Sequence, residues 1–228
     1  MTYSLPASRA WRGRGREPGL SVLLVLELLV MFIVLPLDEM GILTHWLTDA
    51  AIVLAILAAS LVVSRHRVAV VAIIASAALA GWTSWMRGHA PTTVNISLQF
   101  LAIMIYIATL MLVVGAAVFA PGRVTVHRVQ GAVVLYVKLA MFFAYADRLL
   151  AVLIPGSYSP VDGPGAITEG TRALYFSLIT LTSTGYGDIV PLHPLARSLA
   201  NLEALIGQLF PATLLARLVT LELDARKQ

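Results

Sequence analysis

Apolar residues in this chain run in long blocks, not at the spacing of a half-buried surface helix. Six blocks are long enough to cross a bilayer, for which about 20 mostly apolar residues suffice: roughly 19–37, 47–64, 68–86, 96–120, 129–154 and 194–221. A shorter block, 171–182, cannot span. It stands just before Gly185-Tyr186-Gly187 and so predicts a re-entrant helix. Segment 155–170 is rich in Gly, Pro and Ser and predicts an exposed loop. The pattern therefore predicts an all-α membrane protein of six transmembrane helices plus one re-entrant helix.

Composition agrees with a lipid solvent. Hydrophobic residues make up 59% of the 228 and charged residues 12%, about half the charge of a soluble domain. The chain has no cysteine, which excludes disulfides and thiolate metal sites. The first apolar block begins near Gly19, is long enough to span and has no small-x-small site behind it, so it does not resemble a cleavable signal peptide.

The net charge of +4 matters less than where the cations sit. Arg9, Arg12, Arg14 and Arg16 precede the first block; Arg65 and Arg67 lie between the second and third; Arg123 and Arg128 lie between the fourth and fifth; Arg217, Arg226 and Lys227 close the chain. With six spans all of these fall on one side. Opposite them stand only Arg87 and Arg172, with Arg148 and Arg197 near the edges. The positive side is cytoplasmic, which puts both termini inside and the loop 155–170 outside. The basic tail 1–18 is expected to meet anionic lipid headgroups.

The sharpest motif is Thr180-Leu181-Thr182-Ser183-Thr184-Gly185-Tyr186-Gly187-Asp188. A potassium ion crossing a narrow pore must exchange its water oxygens for others, and backbone carbonyls can supply them if successive C=O groups turn inward. That needs alternating backbone handedness, which Gly185 and Gly187 permit because glycine takes positive φ without steric cost. The carbonyls of Thr184, Gly185 and Tyr186, with the carbonyl and hydroxyl of Ser183, would then hold K+. The side chains of Thr184 and Tyr186 would point into the wall. One strand cannot surround an ion, so a homotetramer is expected. The helix over 171–182 would aim its partly negative C-terminus at the cation. Non-helical backbone at membrane depth is tolerated where it lines such a wet cavity.

Together, Arg172-Ala173-Leu174-Tyr175-Phe176-Ser177 and Thr182-Ser183-Thr184-Gly185-Tyr186-Gly187-Asp188 resemble the pore region of potassium channels, most closely the bacterial type with a two-helix pore domain. The resemblance covers about residues 130–222 and implies a potassium-selective channel of the cell membrane, the bacterial inner membrane, with K+ as permeant ion and no cofactor. Together with the apolar blocks it divides the chain into a cytoplasmic tail 1–18, a four-helix membrane domain 19–121 whose helices resemble nothing by motif, and a pore domain 122–228. The pore domain would hold an outer helix 129–154, a pore helix 171–182, a filter 183–187 and an inner helix 194–221. Family filters read Thr-Val-Gly-Tyr-Gly. Ser183 replaces the threonine and lacks the methyl that restricts its rotamer, while Thr184 puts a hydroxyl where the wall is normally apolar. By the same resemblance Thr182, Asp188 and Tyr175 support the filter, with Tyr175 bonding Asp188. Ile179 stands where some relatives carry a bracing glutamate.

Gly207 and Pro211 lie one turn apart in the last block and favour bending. The distance from Asp188 to Gly207 matches the family's hinge glycine, so a gating hinge is expected. Close packing of a small residue is the plainer account. Lys138 and Glu203 each lie about nine residues into their blocks, which at about 1.5 Å per residue puts both near mid-membrane. Charges at that depth are costly, and an intramembrane pair Lys138–Glu203 is expected, with Glu27 the rival partner for Lys138. Block 96–120 has no Lys or Arg and so cannot serve as a voltage sensor. The chain after 221 is short, so no soluble ligand-binding domain is expected, nor a nucleic-acid partner. His45, His66, His89, His127 and His193 are scattered without metal-ligand spacing.

Two other readings use the same residues. Ser183 and Thr184 could relax the filter into a weakly selective monovalent cation channel. Gly185-Tyr186-Gly187-Asp188 also fits the Gly-x-Gly-Asp pattern of intramembrane aspartyl proteases. That chemistry needs a second carboxylate sharing a proton, and Asp147, the candidate, has no adjacent tyrosine. Asp188 is also followed by Ile189-Val190-Pro191, which suits an extracellular exit rather than a helix, and an enzyme is not expected.

Overall fold

The structure, a computed structural model, describes residues 17–42, 71, 74–79, 81–82, 92–119, 125–160, 167 and 170–226. Among them, four helical stretches are long and apolar enough to cross a membrane: Ser21–Asp38, Thr93–Val118, Arg128–Leu153 and Pro194–Arg217. They correspond to the first, fourth, fifth and sixth expected spans. The block 47–64 and most of 68–86 lie outside the described residues.

The first span is one helix with a defect. α1 (Glu17–Leu29) passes through a π-helical turn, Val30–Val34, into α2 (Leu35–Glu39). Pro36 accounts for it. Its ring opposes the carbonyl of Phe32, four residues back, and widening the preceding turn relieves that clash. The helix stops at Gly41, whose φ of 70° permits a Schellman-type end: Ile42 N–H donates to Leu37 O at 3.0 Å and Gly41 N–H to Asp38 O at 2.9 Å.

α3 (Thr93–Val118) opens on Thr92, whose side chain accepts from the Asn95 N–H at 3.2 Å. α4 (Val126–Leu153) packs along it. Gly131 makes the close approach possible, since a Cβ there would lie 2.7 Å from Val118 Cγ2. Leu23, Leu110, Val114, Ala132 and Val134 fill the junction of α1, α3 and α4.

α5 (Gly170–Leu181) is the short helix, and α6 (Pro194–Arg226) the long one that follows the motif. α5 sits against α4 and α6 on a core that includes Val137, Ala144, Tyr158, Phe176 and Ala196. Two short strands, β1 (Tyr158–Ser159) and β2 (Val190–Pro191), pair antiparallel in the register Tyr158↔Pro191, Ser159↔Val190. They tie the loop before α5 to the segment after the motif. Coverage is uneven: an 18-residue apolar window of the Arg128–Leu153 span is 56% buried within the chain, against 17% for the window in Pro194–Arg217. Leu202, Leu205, Leu209 and Leu215 leave a large apolar face of α6 uncovered by its own chain.

Candidate functional site

α5 ends because its last carbonyls are claimed by the residues that follow. A helix leaves its final four C=O groups without intrahelical partners. Here the N–H groups of Thr182, Ser183, Thr184 and Gly185 donate to Leu178 O, Thr180 O, Ile179 O and Ile179 O, at 3.0, 2.9, 2.7 and 3.1 Å. Four successive donors thus turn back toward the helix. The carbonyls of Ser183, Thr184, Gly185 and Tyr186 accept from no N–H or O–H among the described residues.

The backbone alternates as the motif predicts for its glycines, and extends the alternation one step further. Positive φ occurs at Ser183 (56°), Gly185 (57°) and Gly187 (80°). Ser183 is the unanticipated member, because a side chain at positive φ crowds the backbone. No residue type in the sequence signals it. All of 182–188 is exposed in the single chain, Tyr186 to 71%, and a Cβ on Gly185 or Gly187 would meet nothing within 4 Å.

The hydroxyls around this strand are ordered. Thr182 donates to Leu178 O at 2.7 Å and lies 2.9 Å from Thr184 Oγ1. Thr182 has one hydrogen and spends it on Leu178, so Thr184 is the donor between the two. The hydroxyl that Thr184 brings to the wall therefore has a partner in its own chain. The Tyr175 ring stacks on that of Tyr186, with centroids 6.4 Å apart and planes within 8°, and its hydroxyl reaches the Asp188 carboxylate. Gln208 on α6 donates to Ser183 Oγ at 2.9 Å, a contact the sequence does not announce.

The intramembrane charges pair differently from expectation. Lys138 Nζ lies 2.8 Å from Glu27 Oε1, with Met141 Sδ at 3.7 Å and the Tyr106 ring centroid at 5.8 Å. Glu203 instead bonds the Ser177 hydroxyl, whose oxygen also lies 2.6 Å from Ala140 O. The expected Lys138–Glu203 pair is not formed. Equal depth is not equal azimuth: Lys138 faces α1 on one side of α4, while Glu203 faces α5. Asp147 is bound separately, accepting from Tyr158 Oη at 2.7 Å.

α6 runs unbroken through Gly207 and Pro211. Pro211 has no N–H to offer the carbonyl of Gly207, four residues back. Gly207 is itself pressed against the end of α5: an added Cβ would run into the Leu181 carbonyl oxygen and lie 2.7 Å from its carbon. The close packing allowed for at this position is therefore present. Among the described residues no group of His, Cys, Asp or Glu is arranged to hold a metal ion.

Residues 134–222 match the protein family described as "Ion channel". Parts of the chain are also similar to potassium channels of known name. These include the inward rectifier potassium channel Kirbac3.1 of Paramagnetospirillum magnetotacticum, 42% identical over 60 residues, 26% of this chain and 19% of that one. The two pore potassium channel c of Oryza sativa subsp. japonica is 35% identical over 92 residues, 40% of this chain and 20% of its own. Protein LctB of Bacillus caldotenax is 34% identical over 89 residues, 37% of this chain and 64% of its own. The chain thus spans about a fifth of the length of the first two and less than two thirds of the third. No solved structure matches. The matched region contains most of α4, all of α5, the motif and almost all of α6, and the four apolar helices among the described residues fit a membrane protein of ion-transport type.

Proposed function

We propose that this chain is the subunit of a homotetrameric potassium channel of the cell membrane, and that Ser183-Thr184-Gly185-Tyr186-Gly187 is its selectivity filter. The observation that carries the reading is the pairing of four N–H groups, on Thr182 to Gly185, with the last carbonyls of α5, beside positive φ at alternate residues. A strand whose donors are spent on one side has its acceptors left for something else, and a dehydrated cation is what a row of carbonyls suits. K+ would be held at Ser183, Thr184, Gly185 and Tyr186. The uncovered face of α6 and the exposed strand are the surfaces that neighbouring copies would occupy. Both termini would be cytoplasmic, Thr182, Tyr175 and Asp188 would brace the filter, and α6 would bend at Gly207 and Pro211 to gate it. A protease is disfavoured because Asp147 and Asp188 have separate partners, Tyr158 and Tyr175.

The test is flux. Purified protein in liposomes should carry K+ in large excess over Na+, and barium, a divalent competitor for the same oxygens, should block it. Equal K+ and Na+ flux would favour the weakly selective cation channel. No flux at all would remove the channel reading.

A further inference from the structure

Ser183 is fixed from two sides. Its backbone is held by α5, through the Ser183 N–H to Thr180 O bond at 2.9 Å. Its side chain is held by α6, through Gln208 Nε2 at 2.9 Å. The second contact exists because Gly207, the preceding residue, allows α6 to touch the Leu181 backbone with no Cβ between them. Gln208 is exposed in the single chain, so water could satisfy its amide, and the bond to Ser183 is not needed to avoid an unpaired buried group.

The chemistry of the two side chains suggests what the bond does. A serine hydroxyl can occupy three staggered wells about χ1, whereas a β-branched residue is restricted by its second heavy atom. A serine at the inner end of a filter therefore presents its oxygen to an ion only part of the time unless something else holds it. Its oxygen has two lone pairs. A donor on one of them fixes the rotamer and leaves the other for a cation.

We infer that Gln208 is the positioning residue of the innermost ion site, holding the Ser183 hydroxyl in the rotamer that a threonine methyl would otherwise enforce. This rests on the reading of 183–187 as an ion filter. It makes α6 a direct partner of that site: any movement of α6 that withdraws Gln208 frees the hydroxyl while α5 keeps the backbone in place.

The test is a four-protein cycle in liposomes, reading the K+ to Na+ permeability ratio of the wild type, Gln208→Leu, Ser183→Thr and the double variant. Gln208→Leu should lower the ratio about fivefold, the size of one hydrogen bond. Ser183→Thr alone sets its own reference ratio, and adding Gln208→Leu to it should change that reference by less than about twofold. A general packing defect would lower the ratio equally in both backgrounds. If Gln208→Leu does not assemble, Gln208→Met, of similar length without the amide, replaces it. An unchanged ratio in the Gln208 variant, or an equal loss in the Ser183→Thr background, overturns the inference while a selective wild type keeps the channel reading intact. A wild type that does not select K+ removes both.

Discussion

Gly207 and Leu181 meet backbone to backbone: a Cβ on Gly207 would lie 2.9 Å from Leu181 Cα and collide with the Leu181 carbonyl. This contact sets how closely α6 approaches the end of α5, and with it the reach of Gln208 to Ser183. A glycine expected to act as a hinge is thus also a spacer of zero thickness.

Two glycines in helices should respond oppositely to the same change. Gly207→Ala forces the two elements apart and should cost about 2 kcal/mol, in the range of overpacking a tight interior. At Gly115 the nearest side-chain atom to an added Cβ is Leu135 Cδ1 at 4.0 Å, an ordinary contact. Gly115→Ala should therefore stabilise by about 0.5–1 kcal/mol through helix propensity. Thermal midpoints of the detergent-purified protein check both signs, and a Gly207→Ala protein as stable as wild type would refute the contact.

Lys138 and Glu27 should behave as one unit. Lys138→Met leaves the Glu27 carboxyl buried without its cation and should cost about 3 kcal/mol. Adding Glu27→Gln should return much of that loss. Lys138→Met combined with Glu203→Gln should instead be additive to within about 0.5 kcal/mol, since those residues share no partner. A coupling energy between Lys138 and Glu203 as large as that between Lys138 and Glu27 would reverse the assignment.

The contrast between these pairs shows what the sequence could and could not convey. Gly185 and Gly187 were legible as positive-φ positions because no other residue type takes that conformation freely. The helix Gly170–Leu181 was legible because an apolar block too short to span has few other uses beside such a motif. Lys138 and Glu203 were legible as deep charges, but depth follows from counting along a helix, whereas partnership depends on rotation about its axis and on which helix lies alongside. Gln208 was illegible for a related reason. A polar residue on the last helix carries no local pattern, and its importance comes from Gly207 and Leu181 touching across 26 positions of sequence. The positive φ of Ser183 is imposed by the end of α5, not by serine.

Ser177 stands between Ala140 O and Glu203, and both of these neighbours are buried. Ser177→Ala should destabilise by about 2 kcal/mol, because it strands a carboxyl as well as removing a bond. Ser177→Ala with Glu203→Leu should cost less than the sum of the two single changes, since removing both polar partners leaves nothing unsatisfied. Midpoints of the four proteins give the coupling, and simple additivity would mean that the two side chains do not interact.

Tyr158 offers a prediction in pH. Burial first, then the neighbouring Asp147 carboxyl, push its hydroxyl above the ordinary value of 10.0. The folded protein therefore keeps this proton at pH values where the unfolded chain has released it. The stability this provides is complete below the unfolded value of about 10 and declines as pH rises beyond it. Tyr158→Phe removes the titrating group together with the bond to Asp147, and should cost about 2 kcal/mol near neutrality because a buried carboxyl loses its donor. The difference between wild type and Tyr158→Phe should accordingly be larger at about pH 8 than at about pH 11, while groups common to both proteins cancel. Midpoints at the two pH values measure it directly; an equal difference at both would mean that the Tyr158 proton is no more tightly held in the fold than in the open chain.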